Sequence, residues 1–240
     1  MALVRIEQTS GMMPPWETLR WYPSVVLYGD GRLVMQGPQI EIYPGPALPN
    51  LMVTRLSQVG VDQVLAWAAE AGLHGPDRQL GPQILDSGAT VFTIVHADGI
   101  HHTSITDMSG ADAQIGAARQ FQDIMLNVRA WLADEIAGDD APYAFDRLRL
   151  ISFPADAQNV PDPAMANTVD WPLDTPLATL GTTWGEPPEY RCAMLEGDDL
   201  TSVRPMFQQA NELTLWRSDD VTYQLHLRPL LPDEEACPGL

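Results

Sequence analysis

The chain has 240 residues, is 45% hydrophobic and carries a formal net charge of −19, from 32 acidic and 13 basic residues. Every basic residue is an arginine, which excludes P-loop nucleotide binding and Schiff-base catalysis, because both require a lysine. The excess of acid excludes nucleic-acid binding, which needs a basic face, and direct binding of the folded domain to an anionic membrane. This length suits one large domain or two smaller ones of about 100–200 residues.

The first half of the chain predicts hairpins and amphipathic helices. Its start, MALVRIEQTS, lacks the charged and apolar regions of a signal peptide. We therefore expect either a cytosolic protein or an exported one whose leader is missing from this chain. The predicted elements are a hairpin at 24–36, a strand at 51–56, a helix from Ser57 to Gly72, a hairpin at 90–106, and a helix from Ala111 whose apolar stripe reaches Ile136.

The stretch IYPGPALPN (42–50) places three prolines between two strand-like runs. Because proline restricts its own backbone and that of the preceding residue, the segment loses little entropy on ordering. It is either a strut that crosses from one sheet edge to the next strand, or a preorganised ridge for a partner. The candidate docking surface comprises Ile42, Tyr43, Pro44, Pro46, Leu48, Pro49 and, from a second proline-rich segment, Trp184.

Histidines cluster on the second predicted hairpin. His96 and His101 lie across its turn from each other with Asp98 between them, which makes a surface metal site a weak candidate beside the alternative of solvated polar residues. His102, Ser104 and Asp107 are close in sequence but lack a catalytic signature. We therefore predict no catalytic residue and no cofactor.

The second half of the chain begins after the break GDDAP at 138–142. We predict two modules, 1–138 and 143–240, each an antiparallel β-sheet packed by one or two helices, which makes the fold class α+β. The second module reads as a half-buried strand at 147–153, a strand at 190–195, a helix from Ser202 to Ala210, and a hairpin of 214–216 with 221–231. Both halves run strand, helix, hairpin, so a diverged duplication is an alternative to coincidence.

Paired carboxylates and two cysteines complete the chemistry-bearing residues. The pairs Asp139–Asp140, Asp198–Asp199, Asp219–Asp220 and Glu234–Glu235 are predicted to be solvated turns or termini, with loose calcium binding as the alternative. Cys192 and Cys237 are free thiols in a reducing cytosol, but an oxidising compartment favours a disulfide between them that pins the chain terminus. Their spacing is a poor zinc signal.

The run LYGDGRLVMQGPQIEIYPGPALPNL and the ending ANELTLWRSDDVTYQLHLRPLLPDEEAC resemble an uncharacterised family of actinobacterial and Chloroflexi-type secreted proteins, many of them predicted lipoproteins. The resemblance implies export, and a disulfide between Cys192 and Cys237 outside the cytoplasm. This chain departs from the family pattern because no leader and no lipid-attachment cysteine precede Val4.

These observations favour an extracytoplasmic, secreted or envelope-anchored, non-enzymatic binding module for an unknown protein or surface ligand. The alternatives are a hydrolase or other enzyme with an unmarked active site, and a structural or inhibitory module. An enzyme predicts a deep pocket with converging histidine and carboxylate groups. A binding module predicts a shallow aromatic surface built from loops.

Overall fold

A computed structural model describes residues 1–9, 11–13, 15–84, 86–155, 162–184 and 190–237. The fold is α+β, as the sequence predicts, with two separate sheets. The chain divides into two compact units, Met1–Gly37 with Asn50–Tyr143, and Pro38–Pro49 with Ala144–Leu240. The proline-rich segment, which the sequence analysis placed in the first module, therefore belongs to the second unit.

The sheet of the first unit has eight strands in the order β5-β7-β6-β1-β2-β3-β4-β8. All neighbouring strands are antiparallel except the parallel edge pair β5–β7. Both hairpins predicted from this part of the sequence are present as β2–β3 and β6–β7. The strands are β1 (Ala2–Thr9), β2 (Val25–Tyr28), β3 (Arg32–Gln36), β4 (Leu51–Arg55), β5 (Arg78–Leu80), β6 (Ala89–His96), β7 (Gly99–Ile105) and β8 (Ala141–Pro142).

Strand β1 was missed by the sequence analysis, although it pairs with both β2 and β6. Its buried residues Val4 and Ile6 alternate with the more exposed Arg5 and Glu7. This two-residue period is typical of a strand with one face on the core. The same alternation is visible in the sequence itself.

Helices of the first unit cover its sheet with apolar side chains. Helix α2 begins as predicted, because the Ser57 hydroxyl accepts a hydrogen bond from the Gly60 N–H, and it is followed by Gly72 at φ +70°. The long helix predicted from Ala111 is interrupted at Asn127, whose backbone leaves helical geometry. The helical segments are α1 (Pro15–Thr18), α2 (Gln58–Glu70), α3 (Ala113–Leu126), α4 (Val128–Trp131) and a 3-10 turn (Ala133–Glu135).

The sheet of the second unit has six strands in the order β10-β13-β14-β9-β12-β11, antiparallel except for the edge pair β10–β13. Helix α5 (Gly197–Gln209) begins earlier than predicted, because Asp198 and Asp199 in its first turn are favourable near the positive helix terminus rather than forming a separate turn. The strands are β9 (Arg147–Pro154), β10 (Thr168–Asp170), β11 (Thr182–Trp184), β12 (Tyr190–Glu196), β13 (Leu215–Ser218) and β14 (Val221–Pro229).

Strand β9 is buried on both faces, so the prediction of a half-buried strand was wrong. Leu148 and Leu150 point into the core of the second unit with Trp216 and Phe207. On the opposite face Arg149 is only 5% exposed. Alternating arginine and leucine normally indicates a strand with one face exposed to solvent. Here that face is covered by residues 231–237.

The internal duplication considered above is not supported by the strand order. Three strands separate β4 from β6 in the first sheet, whereas one strand, β9, separates β12 from β14 in the second. The inner strand of the hairpin also comes first in the chain in one unit and second in the other. The shared succession of strand, helix and hairpin is therefore built into two different sheets. Across the described ranges, no helix has both the length and the apolar character needed to cross a membrane.

Candidate binding surfaces

The proline-rich segment is anchored within the second unit by hydrogen bonds to the backbone and the side chain of Glu212 and to the backbone of Ala210. The Gly45 N–H donates to Glu212 Oε1 at 2.8 Å, and the Glu212 N–H donates to the Gly45 carbonyl at 2.8 Å. The Ala47 N–H donates to the Ala210 carbonyl at 3.1 Å, directly after α5 ends. The segment connects strands β3 and β4, which pair with each other.

Three large apolar side chains of this segment are exposed: Ile40, Ile42 and Tyr43. We call them the prolyl ridge. Their exposed fractions are 70%, 58% and 58%. Leu48, predicted to belong to the same surface, instead packs against the core of the second unit. Of the remaining predicted members, Pro46 is exposed, Pro44 and Pro49 are half-buried, and the side chain of Trp184 lies outside the described part of the chain.

A first aromatic pocket in the first unit is built around Trp21 and Tyr22. Two adjoining clefts of about 240 and 510 Å³ share these two residues and Gln8. Met35 and Leu126 add apolar surface to the larger cleft. The loop before β2 therefore presents aromatic rings in these clefts.

A second concave surface, here called the tryptophan groove, lies on the helices of the first unit. Two adjoining clefts of about 200 and 560 Å³ share Trp67 of α2 and Trp131 of α4. The indole rings are in edge-to-face contact, with centroids 6.4 Å apart and an interplanar angle of 77°. Buried Phe121 and Ile124 of α3 line the smaller cleft. No pattern in the sequence indicates this groove, because Trp67 and Trp131 are 64 positions apart in the chain.

The histidine cluster on the β6–β7 hairpin converges on one carboxylate. His96 Nδ1 and His101 Nε2 lie 3.0 and 3.1 Å from the same Asp98 oxygen. His101 Nδ1 lies 2.9 Å from the Gly75 carbonyl oxygen, and the His74 ring stacks on His96 with centroids 5.4 Å apart. The hydrogen bonds from His101 and then His96 lower the pKa of Asp98 from 3.8 to about 2.

The Asp98 carboxylate and the Gly75 carbonyl oxygen both lie within hydrogen-bond distance of the His101 ring. No group of three or more histidine, cysteine, aspartate or glutamate side chains within the described ranges is arranged to hold a metal ion. The geometry therefore lends no support to the metal hypothesis for His96, His101 and Asp98.

The nearby polar residues considered for catalysis have other partners. His102 Nδ1 lies 3.1 Å from the Thr93 hydroxyl across the hairpin. Asp107 accepts hydrogen bonds from the backbone N–H and the hydroxyl of Ser109 at 2.9 and 2.6 Å. Ser104 sits in β7 opposite Val91. These contacts are typical of strand and turn residues.

A disulfide joins Cys192 of β12 to Cys237, across a sequence separation of 45. It pins residues 231–237, here called the C-terminal strap. Arg228 of β14 forms a bidentate ion pair with Glu234 at 2.7 and 2.8 Å, and the two side chains are 6% and 9% exposed. The strap is therefore held covalently at its end and by a buried charge pair at its middle.

Two arginines of β9 bind the strap through its backbone. Arg147 Nη2 donates to the carbonyls of Leu231 and Pro232 at 3.0 and 3.1 Å. Arg149 donates to the carbonyls of Glu235 and Ala236. Because the guanidinium groups satisfy strap carbonyls that have no strand partner, the strap covers this face of β9 without joining the sheet.

Two carboxylates predicted to belong to solvated pairs have structural partners. Asp140 accepts hydrogen bonds from Arg129 at 2.7 and 3.0 Å and from the Thr54 hydroxyl, and the Arg129 hydrogen bonds are the main cause that lowers its pKa. Glu234 is the buried partner of Arg228. Sequence spacing alone did not distinguish these residues from solvated ones.

Comparisons with known proteins gave no relative. A scan of protein-family models, a search of curated proteins and a search of solved structures each found no match. The interpretation of the molecule therefore depends on the surfaces described above.

Proposed function

We propose that this protein is a non-enzymatic binding module that works outside the cytoplasm, either secreted or anchored to a bacterial envelope. The observation that carries the binding role is the prolyl ridge. Three large apolar side chains lie within four successive residues, interrupted only by Glu41, and have exposed fractions of 58–70%. Such exposure is typical of interaction sites rather than of inert surface.

The anchoring of the ridge supports this role. Gly45 and Ala47, just after the ridge, are tied to the turn after α5 by backbone hydrogen bonds. A segment that is already ordered loses less entropy on binding than a free loop does. The partner we propose is a protein or another surface ligand with an apolar contact face.

The disulfide supports the location. Disulfides persist in secreted proteins and in the bacterial periplasm, and they are rare in the reducing cytosol of mesophiles. Here the bond ties Cys237 to strand β12. Alkylation of the protein recovered from its native cells tests this part: we expect both cysteines to react only after reduction, and two thiols that react without a reductant would contradict an extracytoplasmic location.

The binding role is tested by capture from the native cell envelope, with mass spectrometry of the captured proteins. The bait is compared with an Ile42→Ser/Tyr43→Ser variant and with Ile100→Ser, a matched control that changes a residue 60% exposed on the β6–β7 hairpin. We expect the double variant to lose a specific partner that the control retains, while circular dichroism and the melting temperature stay unchanged. Equal capture by all three proteins contradicts the proposal.

A further inference from the structure

The tryptophan groove of the first unit combines ring geometry with charge in a way that indicates its ligand. The edge-to-face contact of Trp67 and Trp131 holds two indole faces at 77° to each other. A cation seated in that corner contacts both faces, and cation–π attraction operates within about 6 Å of a ring centroid. Trp131 is 53% exposed, so the corner is accessible from solvent.

The charged side chains that line the groove all carry the same sign. Glu70 follows Trp67 by three residues on α2, which places it on the same helix face. Asp134 and Glu135 line the larger cleft on the other side of the tryptophan pair. The whole chain carries a formal net charge of −19. The local and the overall potential therefore both favour a cationic occupant.

The floor of the groove specifies the kind of cation. Phe121, Ile124 and Ala117 line the smaller cleft beside Trp67, together with Glu70 and Gln120. An occupant therefore contacts carbon and one carboxylate. A bare metal ion or a primary ammonium group is strongly hydrated and gains little from such a floor. An alkylated ammonium group buries its methyl groups against the rings while it keeps its charge.

We propose that the tryptophan groove binds a small organic cation that carries an alkylated ammonium group. The smaller cleft, of about 200 Å³, receives the ammonium head, and the adjoining cleft of about 560 Å³ receives the rest of the molecule. This site is separate from the prolyl ridge, so either proposal stands if the other fails.

The test uses choline and its neutral isostere 3,3-dimethylbutan-1-ol, which has the same shape without the charge. Binding to the full chain is followed by the chemical shifts of the tryptophan indole N–H groups. We expect saturable binding of choline with a Kd of about 1 mM, which corresponds to about −4 kcal/mol. We expect the neutral isostere to bind at least about tenfold more weakly. Equal binding of the two compounds, or no binding of choline at about 50 mM, would overturn the proposal.

Variants locate the site. We expect Trp131→Leu to weaken choline binding about tenfold, and Glu70→Gln to weaken it about threefold, with the larger loss at low salt. Both residues are exposed, so these variants are expected to keep the fold, which circular dichroism checks. Trp21→Leu, which removes an exposed tryptophan from the first aromatic pocket, is the matched control and should bind as the unchanged protein does. An equal loss in Trp21→Leu would contradict the assignment to the groove.

Discussion

Replacing both members of the disulfide, Cys192→Ala with Cys237→Ala, is expected to destabilise the second unit by about 4 kcal/mol. The bond closes a loop with a sequence separation of 45, and the entropy of closing a loop of that length in the unfolded chain corresponds to about 4 kcal/mol at 25 °C. This is a large share of the roughly 5–15 kcal/mol that stabilises an ordinary domain. The bonds from Arg147 and Arg149 to the strap remain available in the variant, so we expect it to fold.

Hydrogen exchange read by mass spectrometry measures this loss for each unit separately. We expect amides of β9, β12 and β14 to lose about 4 kcal/mol of protection in the variant, and amides of β1 and β6 in the first unit to keep theirs. Reductant provides the control, because it removes the cross-link without removing the side chains. It should bring the unchanged protein to the level of the variant and leave the variant unaffected. A loss below about 1 kcal/mol, or a loss that reductant does not reproduce, would refute the reasoning.

The other predictions concern single contacts. Glu234→Gln removes the carboxylate that pairs with the buried Arg228 guanidinium, so we expect the free energy of unfolding measured in urea to fall by about 3 kcal/mol. Most of that loss should be recovered when Arg228→Met is combined with Glu234→Met, and an unchanged midpoint contradicts a buried pair. The pKa of Asp98 is lowered to about 2. The ionised Asp98 carboxylate therefore stabilises the fold above pH 3.8, and this stabilisation is lost as the pH falls towards 2. His101→Ala removes the hydrogen bond that lowers the pKa of Asp98 most, so a carboxyl-detected NMR titration should show that pKa closer to 3.8. An unchanged pKa of Asp98 argues against the contact with His101. Phe207→Ala truncates a side chain that is 1% exposed and should cost about 3–5 kcal/mol; protection of β14 that survives the substitution would show that the core tolerates the cavity.

Local sequence signals predicted the hairpins and helix α2 correctly. The turn around Gly31, which has φ +82°, and the Ser57 cap of α2 each involve residues only a few positions apart in the chain. Such contacts need no knowledge of the rest of the fold, so the residue types themselves are sufficient evidence. The helix from Ala111 was predicted too long, because its apolar stripe continues across Asn127, where the backbone turns.

The binding surfaces were predicted only in part. Ile42 and Tyr43 are exposed as expected, but Leu48 turns into the core of the second unit. Proline content indicated a stiff segment, but which side chains face solvent depends on what the segment packs against. The tryptophan groove joins residues from α2, α3 and α4, and no spacing in the sequence indicates that these helices meet.

By itself the sequence determined the α+β class, the positions of the hairpins and the helix that Ser57 caps, because these depend on turn chemistry and on periodicity over short stretches. Tertiary structure alone decided that the Arg149 face of β9 is shielded from solvent, that Glu234 is buried and that the rings of Trp67 and Trp131 are in contact. In each of these cases burial depends on a segment distant in the chain. The same alternation of charged and apolar residues is compatible with a face exposed to solvent and with a face covered by another segment. Only the position of that segment distinguishes the two.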